Sequence, residues 1–210
     1  MSRPAYQTAH LDELARFEGE FDTIPIRIPL GIDAFGVNAY ASREAGGQVI
    51  EEHDELGAGA GRHEELYVVL AGRARFTVAG EELDGPPGTL VFVRDPATRR
   101  GARAVEPDTT VMVVGGTIGK AFEPSPWESW LEALPSYEAK DFDAAAAVLE
   151  RALEAHPDNP NVLYNLACCE ALAGRREPAV EHLTRAAELD PRVRKWAAND
   201  TDLDSIRDAL

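Results

Sequence analysis

Between Ile24 and Val114 the chain sets short apolar runs against Gly- and Pro-rich punctuation. The runs are Ile24 to Leu30, Phe35 to Tyr40, Gln48 to Ile50, Leu66 to Leu70, Arg73 to Val78, Leu90 to Val93 and Thr110 to Val114. Turn signals separate them: Ala45-Gly46-Gly47, Ala79-Gly80-Glu81, Gly85-Pro86-Pro87-Gly88 and Gly115-Gly116. Many short strands at near-regular spacing predict an antiparallel sandwich or barrel. The polar–apolar alternation of Arg73 to Val78 suits a sheet with one wet face. After residue 135 the strand signals stop. Phe142 to Ala155, Asn161 to Ala173 and Glu177 to Leu189 predict helices, punctuated by Gly174 and stopped by Pro157, Pro160 and Pro191. The predicted class is therefore α+β, with an antiparallel β domain over residues 1–125 and a small all-α domain over 126–210. Glu123-Pro124-Ser125-Pro126 is the predicted linker, and Trp127 and Trp130 just after it are expected to pack between the domains.

Charge narrows the function. In 210 residues, 21 Lys and Arg stand against 37 Asp and Glu, a formal net charge of -16. A chain this acidic lacks the basic face that phosphate binding needs, which argues against nucleic acid and against anionic lipid. No run reaches the roughly 18 apolar residues of a membrane span. The first thirty residues carry Asp12, Glu13, Glu18, Glu20 and Asp22 and no apolar stretch of signal-peptide length, so a cytoplasmic protein is expected. The two cysteines, Cys168 and Cys169, are adjacent and cannot readily bridge each other. They read as small buried helix residues, with no partner at ligand spacing along the sequence.

The helical half repeats itself at a period of about 34 residues. Lys140-Asp141-Phe142 falls on Gly174-Arg175-Arg176, Leu149 on Leu183, Ala152 on Ala186 and Pro157 on Pro191. This pattern, with Pro160-Asn161-Val162-Leu163-Tyr164-Asn165-Leu166-Ala167, resembles the tetratricopeptide repeat. Lys140 and Arg176 depart from it, standing where Gly and an aromatic are usual. Only about two repeats fit, whereas stacked repeats generally need three or more. The unit is therefore expected to lean on the β domain or on a second protomer. It reads either as a groove for a protein partner or as a dimerisation or stability appendage.

His63-Glu64-Glu65-Leu66-Tyr67-Val68-Val69-Leu70-Ala71-Gly72 resembles the first motif of cupins, small β-barrel proteins, and Gly85-Pro86-Pro87-Gly88-Thr89-Leu90-Val91-Phe92-Val93 resembles the second. The likeness spans roughly residues 35 to 115 and implies a jelly-roll-like barrel with a pocket at its mouth. Against the family's three-His, one-Glu ligand set, His53 matches the first His, Glu55 stands at the second and Glu65 matches the motif Glu. Arg99 falls at the fourth ligand, and an arginine does not ligate metal. Strand parity offers a compensating set, because residues i and i+2 share a face. On that reading His53 with Glu55, and His63 with Glu65, converge on a divalent ion such as Fe, Mn, Zn or Ni. Tyr67 shares the parity of His63 and Glu65 and is a candidate to line the cavity. Arg99, within the basic cluster Arg94, Arg99, Arg100 and Arg103, is a candidate to hold a ligand's carboxylate or phosphate, or to pair with Glu55. The loop Gly57-Ala58-Gly59-Ala60-Gly61 reads as a lid or as slack. Two functions follow: a metal-dependent cupin acting on a small molecule, or a ligand sensor or adaptor whose helical repeats bind a partner protein. Homodimerisation is expected from the family and from the short helical unit.

Overall fold

The computed structural model describes residues 6–209. The chain divides into two compact units, one of residues 1–57 and 61–123 and one of residues 58–60 and 124–210.

Among the described residues the first unit has nine strands: β1 (Asp22–Pro25), β2 (Gly36–Ser42), β3 (Gln48–His53), β4 (Glu64–Ala71), β5 (Ala74–Val78), β6 (Glu81–Gly85), β7 (Leu90–Val93), β8 (Arg100–Ala104) and β9 (Thr109–Gly116). They form two antiparallel sheets, ordered β1-β2-β9-β4-β7 and β3-β8-β5-β6. Among the described residues each sheet ends in edge strands, so the expected barrel is an open two-sheet sandwich. Inward residues of both sheets make one core, in which Tyr67 and Val69 of β4 join Ala74 and Phe76 of β5, Ala102 and Ala104 of β8 and Val111 of β9. The Tyr67 ring meets that of Phe76 edge-on, with centroids 6.0 Å apart.

Two strands were not legible as apolar runs. β6 is exposed along four of its five residues and pairs only with β5, so it needs no apolar face. β8 alternates Ala102 and Ala104 against Arg103, and small inward residues give a weak signal. The expected run Ile24 to Leu30 divides. β1 ends at Pro25, and Arg27–Leu30 makes one helical turn (α1), closed by Gly31 at φ 63°. Pro25 and Pro29 each remove a ladder donor, which ends strand pairing. Gly72, which ends the first cupin-like motif, lies between β4 and β5 at φ 63°, and a Cβ there would come within 2.6 Å of Thr109 Cα. The close approach and the left-handed backbone both require glycine.

The second unit contains α2 (Glu128–Glu138), α3 (Phe142–Ala155), α4 (Pro160–Leu172), α5 (Arg176–Leu189), α6 (Arg192–Ala197) and a 3-10 stretch (Thr201–Ala209). Asp141 caps α3 by accepting from Ala144 N, and Asn159 caps α4 by accepting from Asn161 N and Val162 N. α4 is the central helix. One side packs with Ala133, Ala145, Ala146 and Leu149, and the other with Ala179, Leu183, Val193, Leu203 and Ile206. The segment after α5 thus covers the face that two repeats alone would leave open. Trp130 lies edge-on to Tyr137 at 5.1 Å. Both cysteines are buried in α4. Burial, then neighbouring carboxylates, push the Cys169 thiol up to about 12 and the Cys168 thiol higher still, which keeps both protonated. No described helix is long and apolar enough to cross a membrane.

The repeat is exact in its turns. Lys140 after α2 and Gly174 after α4 are both left-handed, at φ 60° and 78°. A side chain in that region costs roughly 1–2 kcal/mol. Lys140→Gly is therefore expected to raise unfolding stability by about 1 kcal/mol, less the added freedom of the unfolded chain. Chemical denaturation reads it, and a loss of stability would show that the turn is not strained.

A second expectation concerns His182, whose Nδ1 lies 2.7 Å from the buried carboxylate of Glu170. That hydrogen bond, outweighing burial, holds the imidazole above its ordinary 6.5. A raised histidine stabilises the fold below its unfolded value, and the contribution fades as pH climbs through the folded one. Stability of the helical unit should fall as pH rises from below 6.5 through that higher value, and His182→Gln should flatten this part of the profile. Circular dichroism melts across pH test it.

Candidate functional site

The site forms where the two sheets meet. β3 and β8 pair with His53 opposite Arg100. Facing them, β4 carries Glu65 and Tyr67 inward. Glu55 lies two residues beyond the end of β3, with its backbone amide bonded to Pro96 O at 2.8 Å.

Arg100 is the hub. Its side chain is 1 % exposed. Nη2 and Nε donate to Glu65 Oε2 at 2.7 and 3.0 Å, and Nε also reaches Tyr67 Oη at 3.3 Å. Nη1 donates to Thr98 O at 2.8 Å and Pro96 O at 3.2 Å. The Tyr67 hydroxyl donates to the same Glu65 oxygen at 2.5 Å. Burial opposes ionisation of Glu65, but His53, Tyr67 and Arg100 outweigh it and hold the carboxyl below its ordinary range. Burial and the Glu65 charge raise the Tyr67 phenol well above its ordinary value, so it stays a donor.

His53 presents one nitrogen to this cluster. Nδ1 lies 2.7 Å from Glu51 O, and since a carbonyl only accepts, Nδ1 carries the proton. Nε2 then faces two carboxylates, 3.8 Å from Glu55 Oε1 and 3.7 Å from Glu65 Oε2. Burial pulls the imidazole down, yet Glu65 and the Glu51 carbonyl hold it above its ordinary value. The other Glu55 oxygen, Oε2, accepts from Gly61 N at 3.0 Å and His63 N at 3.2 Å, which fastens the stretch leading into β4 to one carboxylate.

His53, Glu55 and Glu65 thus come together, and their nearest ligand atoms lie within 4.8 Å of one another. His63 does not join them. It precedes β4, its ring rests against Phe122 at 5.5 Å, and its buried Nε2 has no hydrogen-bond partner. Tyr67 is buried and spends its hydroxyl on Glu65. Arg99 is 59 % exposed and pairs with Glu52 Oε1 at 3.1 Å, while the next residue enters the site instead. Counting inward parity back from Ala104 and Ala102 reaches Arg100, and that was the signal available in the sequence.

The spacing of these donors suits a divalent ion, but their bonding does not. The Glu65 oxygen nearest His53 already accepts from Tyr67 and twice from Arg100, against about two lone-pair sites on a carboxylate oxygen. A fixed guanidinium beside that oxygen also repels a second cation. A second cluster, Cys168 with Asp200 and Asp202, arises in the helical unit from residues far apart in sequence. Its carboxylates accept from Tyr164 Oη at 2.5 Å and Tyr137 Oη at 2.7 Å, and its thiol stays protonated, so it reads as a hydrogen-bond network.

The chain joins a cupin-like β unit, two facing antiparallel sheets that carry the Glu65-to-Gly72 spacing, to a tetratricopeptide-type helical unit. The family model of the tetratricopeptide repeat matches residues 136–198. No curated protein matches the chain. Similar solved structures include a cupin protein from Bacteroides fragilis, 18% identical over 59% of this chain and 93% of that one, with a TM-score of 0.44. A sugar phosphate isomerase of the cupin superfamily from Silicibacter pomeroyi is 17% identical over 52% of this chain and 74% of that one, with a TM-score of 0.42. A predicted oxalate decarboxylase from Thermotoga maritima is 16% identical over 52% of this chain and 97% of that one, with a TM-score of 0.41.

If Arg100 and Glu65 are the tie between the sheets, Arg100→Met and Glu65→Gln should each destabilise the protein by about 3–5 kcal/mol, because each leaves a buried partner unmatched. The double variant should lose less than the two single losses together. A denaturation cycle measures this, and simple additivity would show that the pair is not coupled.

Proposed function

We propose that the β unit binds a small hydroxylated molecule, sugar-like rather than anionic, at the cluster of His53, Glu55 and Glu65. The observation that supports this is that His53 Nε2 faces both carboxylates without bonding either directly, at 3.8 Å from Glu55 Oε1 and 3.7 Å from Glu65 Oε2. A ligand hydroxyl set beside these atoms donates to a carboxylate and meets the imidazole, as a bridging water would. Arg100 has its charge matched by Glu65, and Arg99 lies outside on Glu52, so neither arginine favours a ligand carboxylate or phosphate. Glu55 Oε1 and His53 Nε2 bind, Glu65 orients, and Tyr67 and Arg100 hold Glu65.

The match of the helical unit to the tetratricopeptide repeat supports a second reading, in which this unit docks a partner protein. A groove of about 580 Å³ lined by Leu183, Ala187, Val193, Ala197, Arg194 and Arg207 is the place for it. Leu90 and Phe92, exposed on the outer face of β7, support the expected homodimer.

A thermal-shift and calorimetry panel of neutral monosaccharides and polyols, set against sugar phosphates and dicarboxylates, tests the first reading. Neutral hydroxylated compounds should bind, and His53→Ala or Glu55→Gln should weaken them by roughly 10–100-fold, the value of hydrogen bonds to charged groups. A panel with no binder, or a binder indifferent to both substitutions, would sink the reading.

A further inference from the structure

We infer that Arg100 is the built-in cation of this site, and that its guanidinium takes the place that a divalent ion would need, so that the β unit works without a resident metal. The inference deepens the reading above, taking from it only the identity of the cluster.

Three observations carry it. The first is that Arg100 is fixed rather than passing through. It enters from β8, 1 % exposed, and bonds Thr98 O and Pro96 O as well as Glu65 and Tyr67. An ion that displaced it would strip two backbone carbonyls of a donor and leave a buried guanidinium without its carboxylate. The second is that the oxygen Arg100 holds is Glu65 Oε2, the same atom that faces His53 Nε2 at 3.7 Å. The one carboxylate that could close a ligand triangle with His53 and Glu55 is therefore already bonded to a cation. The third is that the remaining imidazole does not fill the deficit, because His63 lies against Phe122, outside the group that His53, Glu55 and Glu65 form. Arginine supplies planar, paired donors to a carboxylate and keeps its charge at any working pH. It therefore gives Glu65 the positive neighbour that a metal would, with no open coordination position.

Metal content tests this separately from ligand binding. The full chain is stripped with EDTA and dialysed against Zn(II), Ni(II), Mn(II) or Fe(II), then measured by plasma mass spectrometry beside Arg100→His and Arg100→Gln. Wild type should retain no stoichiometric ion. Arg100→His puts an imidazole opposite His53 and frees Glu65; it should bind at least one of these ions roughly 10–100-fold more tightly than wild type and, loaded with Co(II) as a spectroscopic probe, show a d–d absorption band. A wild-type protein holding one ion per chain, lost in His53→Ala, overturns the inference. So does an Arg100→His or Arg100→Gln protein that is folded by near-ultraviolet circular dichroism yet binds metal no better than wild type. If neither variant folds, wild-type metal content decides alone, in either direction. Failure of the sugar panel with wild type free of metal would remove the functional reading and leave the role of Arg100 standing.

Discussion

One buried ion pair ties the two sheets of the β unit together at the site. Arg100 projects from β8 and Glu65 from β4, strands of different sheets, and they meet with almost no solvent. Such a pair adds little net stability, because removing both charges from water offsets much of their attraction. What it fixes is geometry. Each partner is intolerable alone, so an arrangement that separates them is penalised. Glu65 then holds Tyr67, and across a short gap His53, in a set orientation. The oxygen contacts of Glu55 extend the order to the stretch leading into β4.

The helical unit solves a different problem. A short run of repeats exposes the flank of its last helix pair, and here the chain covers that flank itself. Val193, Ala197, Leu203 and Ile206 pack on the face that α4 and α5 share. The shortage of repeats therefore does not by itself demand a second subunit. Half-buried tyrosine–aspartate bonds, from Tyr137 to Asp202 and Tyr164 to Asp200, fasten the closing segment onto α2 and α4.

The architecture was largely legible in the sequence, and the site only in part. Period-two runs separated by glycine and proline foretold the antiparallel sheets, and the Ala- and Leu-rich repeat foretold α3 and α5, which begin at the matched positions Phe142 and Arg176. α2 was not foretold; it runs through Pro135, whose missing amide reads as a stop. Strand parity brought His53 and Glu65 to one place but misled for His63, because residue 63 lies ahead of β4 and its ring turns to Phe122. The basic cluster drew notice to Arg99, whereas Arg100 enters the site. The loop Asp95 to Arg99 carries no alternation to count through, so the parity had to be taken from the small residues that follow.

The adjacent cysteines have a practical consequence for labelling. Thiol reagents such as maleimides need an accessible thiolate, and neither Cys168 nor Cys169 supplies one, since both are buried and held protonated. A fluorophore or spin probe aimed at one engineered surface cysteine would therefore mark that position alone, with the native pair left in place as silent packing.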